Sequence, residues 1–248
     1  MKLITLNIEG HKHLDLVTQL ISQEQPDVLC LQEVFEFDLP QLQAAFEQPS
    51  QYVVAFSANA NVKKENKYGI APMGFWGVAL IIKLPLIQDK ESAFHHLFYV
   101  GGEQDVPEFT SPLSPRRSLL VAQLKIANHT MALATTHFTW TPNGQSSPQQ
   151  HRDLTQLKLA LTHYKSFILC GDFNAPRGGE MYSELAEGLV DHVPRDVLTT
   201  LDHRFHYAGM LNLVVDGVLS TPDISSIRTQ VIEGVSDHKA IVVEFALH

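Results

Sequence analysis

Short apolar runs that end on, or lead into, residues able to carry chemistry are the feature that most constrains this chain. Asn7 ends the run that starts at Lys2, and Glu33, preceded by Gln32, ends the next. His137 ends TTHF, and Asp172 and Asn174 follow FILCG. Asp216 interrupts LNLVVDGVL, and Asp237 and His238 immediately precede the last apolar run. Runs this short, bounded by turn formers, read as buried strands. None approaches the ~20 residues of a membrane span.

The spaces between these runs predict an α/β chain. Lys2 to Ile8 alternates, with Leu3 and Thr5 on one side and Ile4 and Leu6 on the other. Leu14, Val17, Leu20 and Ile21 recur at helical spacing, Pro26 stops that helix, and Asp27 to Glu33 returns as a strand. A weaker helix is expected near Leu39 to Gln48. Strands are expected at Tyr52–Ser57, Trp76–Lys83, Ser118–Ile126 and Met131–Phe138, with a hairpin turn at Asn128 and His129. Asn59 to Gly74 and Gly101 to Pro115 read as long loops. Ser147 and Pro148 make a helix start, and Leu154, Leu157, Leu161 and Tyr164 its apolar face. Phe167–Gly171, Leu211–Leu219 and Ala240–Phe245 are expected strands, and Glu180–Glu187 a short helix with Gly188 as its cap. No linker divides the sequence, so residues 1–248 are expected to form one domain.

Composition narrows the class. The chain has 248 residues, is 44% hydrophobic and carries a net charge of −9. That excludes a disordered chain and a disulfide-stapled miniprotein. The acidic balance weighs against a protein that coats nucleic acid or anionic membrane. Cys30 and Cys170 lie inside apolar runs and read as buried free thiols, which suits a reducing compartment and a cytoplasmic location. MKLITLNIEG reads as a first strand and lacks the h-region of a signal peptide.

Taken singly, an Asp after a strand is a turn or cap residue. A carboxylate such as Asp216 in an apolar run is unfavourable without a partner. Together, Asn7, Glu33, Asp172, Asn174 and Asp237 offer hard oxygen donors that suit Mg²⁺ or Mn²⁺. His137, His238 and Asp216 supply acid–base groups. That inventory fits metal-assisted hydrolysis of a phosphoester.

These motifs also resemble a family. LNIEG, LCLQEV, GVALIIKLPL, RRSLLVAQL, TTHF, CGDFNAP, LVVDGVL and SDHKAIVVEF, in this order over essentially the whole chain, are similar to the endonuclease/exonuclease/phosphatase superfamily. These are metal-dependent phosphohydrolases related to DNase I, AP endonucleases and neutral sphingomyelinases. The resemblance implies a DNase I-like four-layer α/β sandwich, two packed mixed β-sheets flanked by helices, with the site at one edge. It implies Glu33 as the principal metal ligand, assisted by Asn7 and Asp237. Asp172 and Asn174 would contact the scissile phosphate and the attacking water. His238 would pair with Asp216, and His137 would face it across the phosphate. Gly217 and Val218 depart from the family, which more often has an aromatic and an aliphatic residue there. For a mid-chain phosphate contact, Arg116, Arg117 and Tyr68 are candidates, Arg117 being compatible with a phosphate and equally with a solvated loop. Trp140 could stack on a substrate or belong to the core.

The other histidines have no assigned chemistry. His203 and His206, and His11 and His13, lack the further Cys or His of a zinc site. Lys63, Lys64 and Lys67 read as a solvated loop, and no basic stripe with interleaved aromatics is present. The expectation is a monomeric phosphodiester hydrolase that is not an integral membrane protein. A DNA or RNA endonuclease/exonuclease, a sphingomyelinase-like phospholipid phosphodiesterase and a catalytically silent scaffold on the same fold remain alternatives.

Overall fold

A computed structural model of the chain describes residues 1–87, 89, 92–126 and 129–246. The order is β1 (Lys2–Asn7), α1 (Leu14–Glu24), β2 (Val28–Phe35), α2 (Leu39–Ala44), β3 (Tyr52–Val62), β4 (Gly74–Lys83), β5 (Phe94–Val100) and β6 (Arg117–Ile126). It continues with β7 (His129–His137), α3 (Pro148–Leu161), β8 (Phe167–Asp172), α4 (Glu180–Leu185), β9 (Val190–Asp191), β10 (Asp216–Ser220), β11 (Ser226–Ile232) and β12 (Ala240–Phe245).

The strands form two six-stranded sheets, ordered β11-β12-β1-β2-β4-β3 and β5-β6-β7-β8-β10-β9. Each is mixed: β1–β2 and β7–β8 are parallel, and the remaining described pairings are antiparallel. A parallel pair needs a crossover, and α1 and α3 supply the two. The period-2 alternation then sorts side chains into layers. Leu3, Cys30, Leu80, Leu133, Cys170 and Val218 pack between the sheets. Ile4, Leu6, Val17 and Ile21 join α1 to the first sheet, and Leu154, Leu157, Leu169 and Leu185 join α3 and α4 to the second. The result is the four-layer α/β sandwich expected above. Both cysteines are free and buried in the middle layer.

Local chemistry sets the helix ends. Gln25 adopts a left-handed conformation and donates its N–H to Ile21 O, and Pro26 prevents continuation. Ser147 Oγ accepts the Gln150 N–H, with Pro148 at the first helical position. Leu154 and Leu157 on that helix are wholly buried, which stabilises it by about 1.5–3 kcal/mol per side chain.

Several expected boundaries move. The helix after Leu39 ends at Ala44, and the helix after Glu180 ends at Leu185 with Ala186 as its cap, ahead of Gly188. β3 runs on to Val62, so the first residues of the expected loop are strand. Asn59 is buried and its Oδ1 accepts from Ser118 Oγ, while the backbone of the half-buried Asn61 bonds Pro107 and Phe109. Leu211–Val215 is not strand. Its backbone is held instead by Thr200, Phe173 and Arg177, so Asp216 opens a strand rather than interrupting one. β5, β9 and β11 are not among the expected strands, although FHHLFYV of β5 is rich in apolar and aromatic residues; β11 is an outer strand with no fully buried residue. Asn128 lies outside the described residues, and His129 opens β7.

Candidate active site

The topology gathers the chemistry at one edge. The carboxyl ends of the two parallel pairs place Asn7 opposite Gln32, beside Glu33, and His137 opposite Asp172. β10 runs antiparallel to β8, so its first residue, Asp216, pairs with Asp172. β12 runs antiparallel to β1, so Asp237 and His238, which precede it, arrive at the same edge.

Asp172 is the hub. Its Oδ2 accepts from Asn7 Nδ2 at 3.1 Å and lies 3.5 Å from His137 Nε2 and 3.8 Å from His238 Nε2. Its Oδ1 accepts the Asn174 N–H at 2.8 Å. Asn7 Nδ2 also reaches Glu33 Oε1 at 3.2 Å, while its Oδ1 accepts the Glu9 N–H. Ligation of a metal by the Asn7 oxygen therefore requires that amide to turn. Beneath these groups Gln32 Nε2 donates to Thr5 Oγ1 and Thr135 Oγ1, a polar strut between the two sheets.

The backbone is strained where the site needs it. Glu33 sits at a register shift in β2 with φ 57°, and Asn174 has φ 48°. Both are non-glycine residues in the left-handed region, which has an energetic cost and re-aims the side chain. Gly171 approaches β7 so closely that a Cβ would lie 2.0 Å from Thr136 O. Gly217, the departure from the family pattern, has its Cβ space filled by the Phe173 ring at 2.5 Å.

The two imidazoles meet opposite environments. His238 Nδ1–H donates to both Asp216 oxygens, at 3.0 and 2.8 Å. Burial works against its charge, but Asp216, Asp172 and Asp237 outweigh it and raise its pKa well above the usual value. His137 is lowered to about 3 by burial, which the attraction of Asp172 does not offset. Trp76 packs edge-on against its ring at 5.9 Å. Glu33 is pushed up to about 8 by burial and by Asp237, and Asp237 is raised by its own burial.

Such destabilised carboxylates fit a hard divalent cation. Glu33, Asp237 and Asp172 offer anionic oxygens, and a cation beside Glu33 would relieve its repulsion from Asp237. Asp172, Asp216 and His238 also bring ligand-type atoms within 4.8 Å of one another. Because His238 Nδ1 is already committed to Asp216, we read that trio as an acid–base cluster beside the oxygen donors rather than as the ligand set.

Other expected residues lie further out. Arg117 is buried and donates to the carbonyls of His137 (3.3 Å) and Pro112 (2.8 Å), so it touches the site through the His137 backbone. Arg116 holds the carbonyls of Ala58, Gly102, Glu103 and Gln104. Asn174 Nδ2 donates to Phe138 O, which fixes its side chain. Tyr68 leans on Phe109 and under Lys67. Trp140 is half-buried, and among the described residues no hydrogen bond or ring contact joins it to the site. Lys63, Lys64 and Lys67 are exposed, as expected of a solvated loop. Trp76 and the Gln32 strut were not assigned roles from sequence; an aromatic and an amide within apolar runs carry no signal of their own.

A model of the Endonuclease/Exonuclease/phosphatase family matches residues 4–238. No curated protein matches the chain by sequence. Among solved structures, an endonuclease/exonuclease/phosphatase family protein from Bacteroides thetaiotaomicron is 13% identical with a TM-score of 0.74, over 100% of this chain and 95% of that one. A mannosyl-6-phosphatase from the same species is 13% identical with a TM-score of 0.73, over 100% of both chains. The human nocturnin catalytic domain, with bound sulfate, is 18% identical with a TM-score of 0.69, over 100% of this chain and 93% of that one. At these identities the likeness is one of fold.

Proposed function

Because this chain belongs to the endonuclease/exonuclease/phosphatase family, we propose that it is a divalent-metal-dependent phosphoesterase that hydrolyses a phosphodiester by in-line attack of water. The observation that carries this reading is the arrangement around Asp172: two imidazoles reach its Oδ2, with the half-buried Glu33 and the buried Asp237 held as unfavourable carboxylates.

Glu33, Asp237 and, with its amide turned, Asn7 would hold Mg²⁺ or Mn²⁺. The bound cation supplies Lewis acidity toward a phosphoryl oxygen. His238, kept charged by Asp216, donates from Nε2 to the phosphate and stabilises charge as it develops. Being already protonated, it is a poor acceptor for the water's proton. Asp172, whose Oδ2 faces both imidazoles, orients that water and accepts from it. Neutral His137 supplies a hydrogen bond on the opposite side, its backbone fixed by Arg117. Among the described residues no helix is long and apolar enough to cross a membrane, and the buried free thiols suit a cytoplasmic location.

The test is hydrolysis of a panel of nucleic acids, phospholipids, sugar phosphates and a nitrophenyl phosphodiester. Turnover with Mg²⁺ or Mn²⁺ that EDTA abolishes supports the reading. No turnover of any ester, together with no thermal stabilisation by either metal, would favour a silent scaffold.

A further inference from the structure

The segment before β10 carries His203 and His206, which the site leaves without a role. Its base is pinned to the site. Thr200 Oγ1 accepts the N–H groups of Val215 and Asp216 at 3.0 and 3.1 Å, and Thr200 O accepts from Lys239 N at 2.6 Å. Leu201 pairs with His238 as an antiparallel bridge, and Asp202 N–H donates to Asp237 O at 2.7 Å. The Asp202 carboxylate accepts from Arg204 Nε and Nη2 at 2.9 and 2.7 Å and from Gly234 N at 2.6 Å.

Beyond this base the chain makes a bonded turn. His206 N donates to Asp202 O, Gly209 N to His206 O, and Ala208 N to His206 Nδ1. The Phe205 ring rests 4.7 Å from His13. On this turn Tyr207 is 86% exposed. Its ring lies 4.7 Å from that of His206 at 34°, and His206 lies 6.5 Å from His238. An exposed aromatic on an untethered loop must be ordered when it binds, which costs affinity. One presented by a pinned turn, two ring contacts from His238, is preorganised to meet what the site binds.

The charges around it favour a flat neutral group. Arg204 is committed to Asp202 and Glu233, Lys12 to Glu9, and Lys239 to Glu233. Each of these cations faces a carboxylate, which lowers the positive potential open to the flanking phosphates of a long strand, which binding proteins hold with Lys and Arg. A nucleobase needs no cation: it stacks on an aromatic face regardless of its sequence identity.

Resting on the phosphodiesterase reading, we propose that Tyr207, backed by His206, is the stacking platform for the base of a short nucleotide diester whose phosphate sits at Asp172 and His238. Two probes with one leaving group test it: thymidine 5′-(4-nitrophenyl phosphate) and methyl 4-nitrophenyl phosphate, each with Mg²⁺. The protein should favour the nucleoside ester by about tenfold or more in kcat/KM. Tyr207→Ala should remove that preference, and Tyr207→Phe should keep it. A preference that survives in Tyr207→Ala, or that the unmodified protein never shows, overturns the platform. If the unmodified protein hydrolyses neither ester with Mg²⁺ or Mn²⁺, the phosphodiesterase reading is what fails. The platform is then read alone by saturation-transfer NMR with thymidylyl-thymidine in EDTA. Transfer to the base protons that Tyr207→Ala abolishes supports it; no transfer to the unmodified protein's ligand overturns it.

Discussion

His137 and His238 approach the same carboxylate oxygen, and their surroundings push them in opposite directions, the first toward the neutral form and the second toward the charged one. Both are buried, and both lie within 4 Å of Asp172 Oδ2, at 3.5 and 3.8 Å. The difference lies behind the rings. His238 has Asp216 against Nδ1, whereas His137 has Trp76 packed on its ring and the Arg117 guanidinium at its carbonyl. In the proposed mechanism one sheet end thus delivers an acid and the other a neutral polar group, and residue type alone distinguishes neither.

Removing the charged member should have the largest effect. His238→Ala is expected to lower kcat by about a thousandfold or more, measured on whichever diester is turned over with Mg²⁺. Near wild-type turnover would break the asymmetry. Asp216→Asn keeps the shape and removes the anion, so kcat should fall by about a hundredfold. The alkaline limb of its pH profile should also move to lower pH, because the charge on His238 is no longer held.

Stability sharpens the comparison through the signs of the shifts. His137 is lowered to about 3 in the folded protein, so between there and its unfolded value near 6.5 the unfolded chain binds more protons. Its contribution is present above 6.5 and is lost as pH falls toward 3. His238 is raised, so its contribution is present below its unfolded value and is lost as pH rises through the folded one. Glu33, raised to about 8, also binds more protons when folded, and without a cation it destabilises the fold as pH climbs from the usual carboxylate range toward 8. Glu33→Gln should therefore lose activity yet raise the metal-free Tm at pH 8 by roughly 5 °C, an effect that shrinks at pH 5. A lower Tm in scanning calorimetry would contradict the assignment of Glu33 as a strained ligand. The smallest effect is expected of Trp76→Phe. Among the described residues the indole nitrogen has no hydrogen-bond partner, and a phenyl ring can keep the contact with His137, so kcat should stay within about threefold.

Much of this fold was legible because alternation and chemistry coincide. Ile4 and Leu6 face α1 while Leu3 faces the other sheet, and the runs of β1, β7 and β8 end on Asn7, His137 and Asp172. Those three ends could be read because the short apolar runs stop there, whereas β2 runs past Glu33 to Phe35 across the register shift that holds that residue. β11 could not, since its side chains are mostly not fully buried and carry little periodicity. Asp216 was legible as an unusual carboxylate, but its place as the first residue of β10 depends on Thr200, which bonds it from far along the chain. Arg117 had a sequence signal for phosphate, yet its guanidinium is used on two carbonyls. Such long-range hydrogen bonds leave no local pattern to read.

The charge difference between the two imidazoles can be observed directly. Nitrogen-15 NMR of the histidine rings, assigned with His137→Gln and His238→Gln, reports which ring nitrogens carry protons in the metal-free protein and with Mg²⁺. At pH 7 His238 is expected to be protonated on both nitrogens and His137 on one. Titration should show His238 losing its proton only above pH 7, while His137 gains none until well into acid. Two neutral rings at pH 7, or a charged His137 beside a neutral His238, would contradict that assignment of charge.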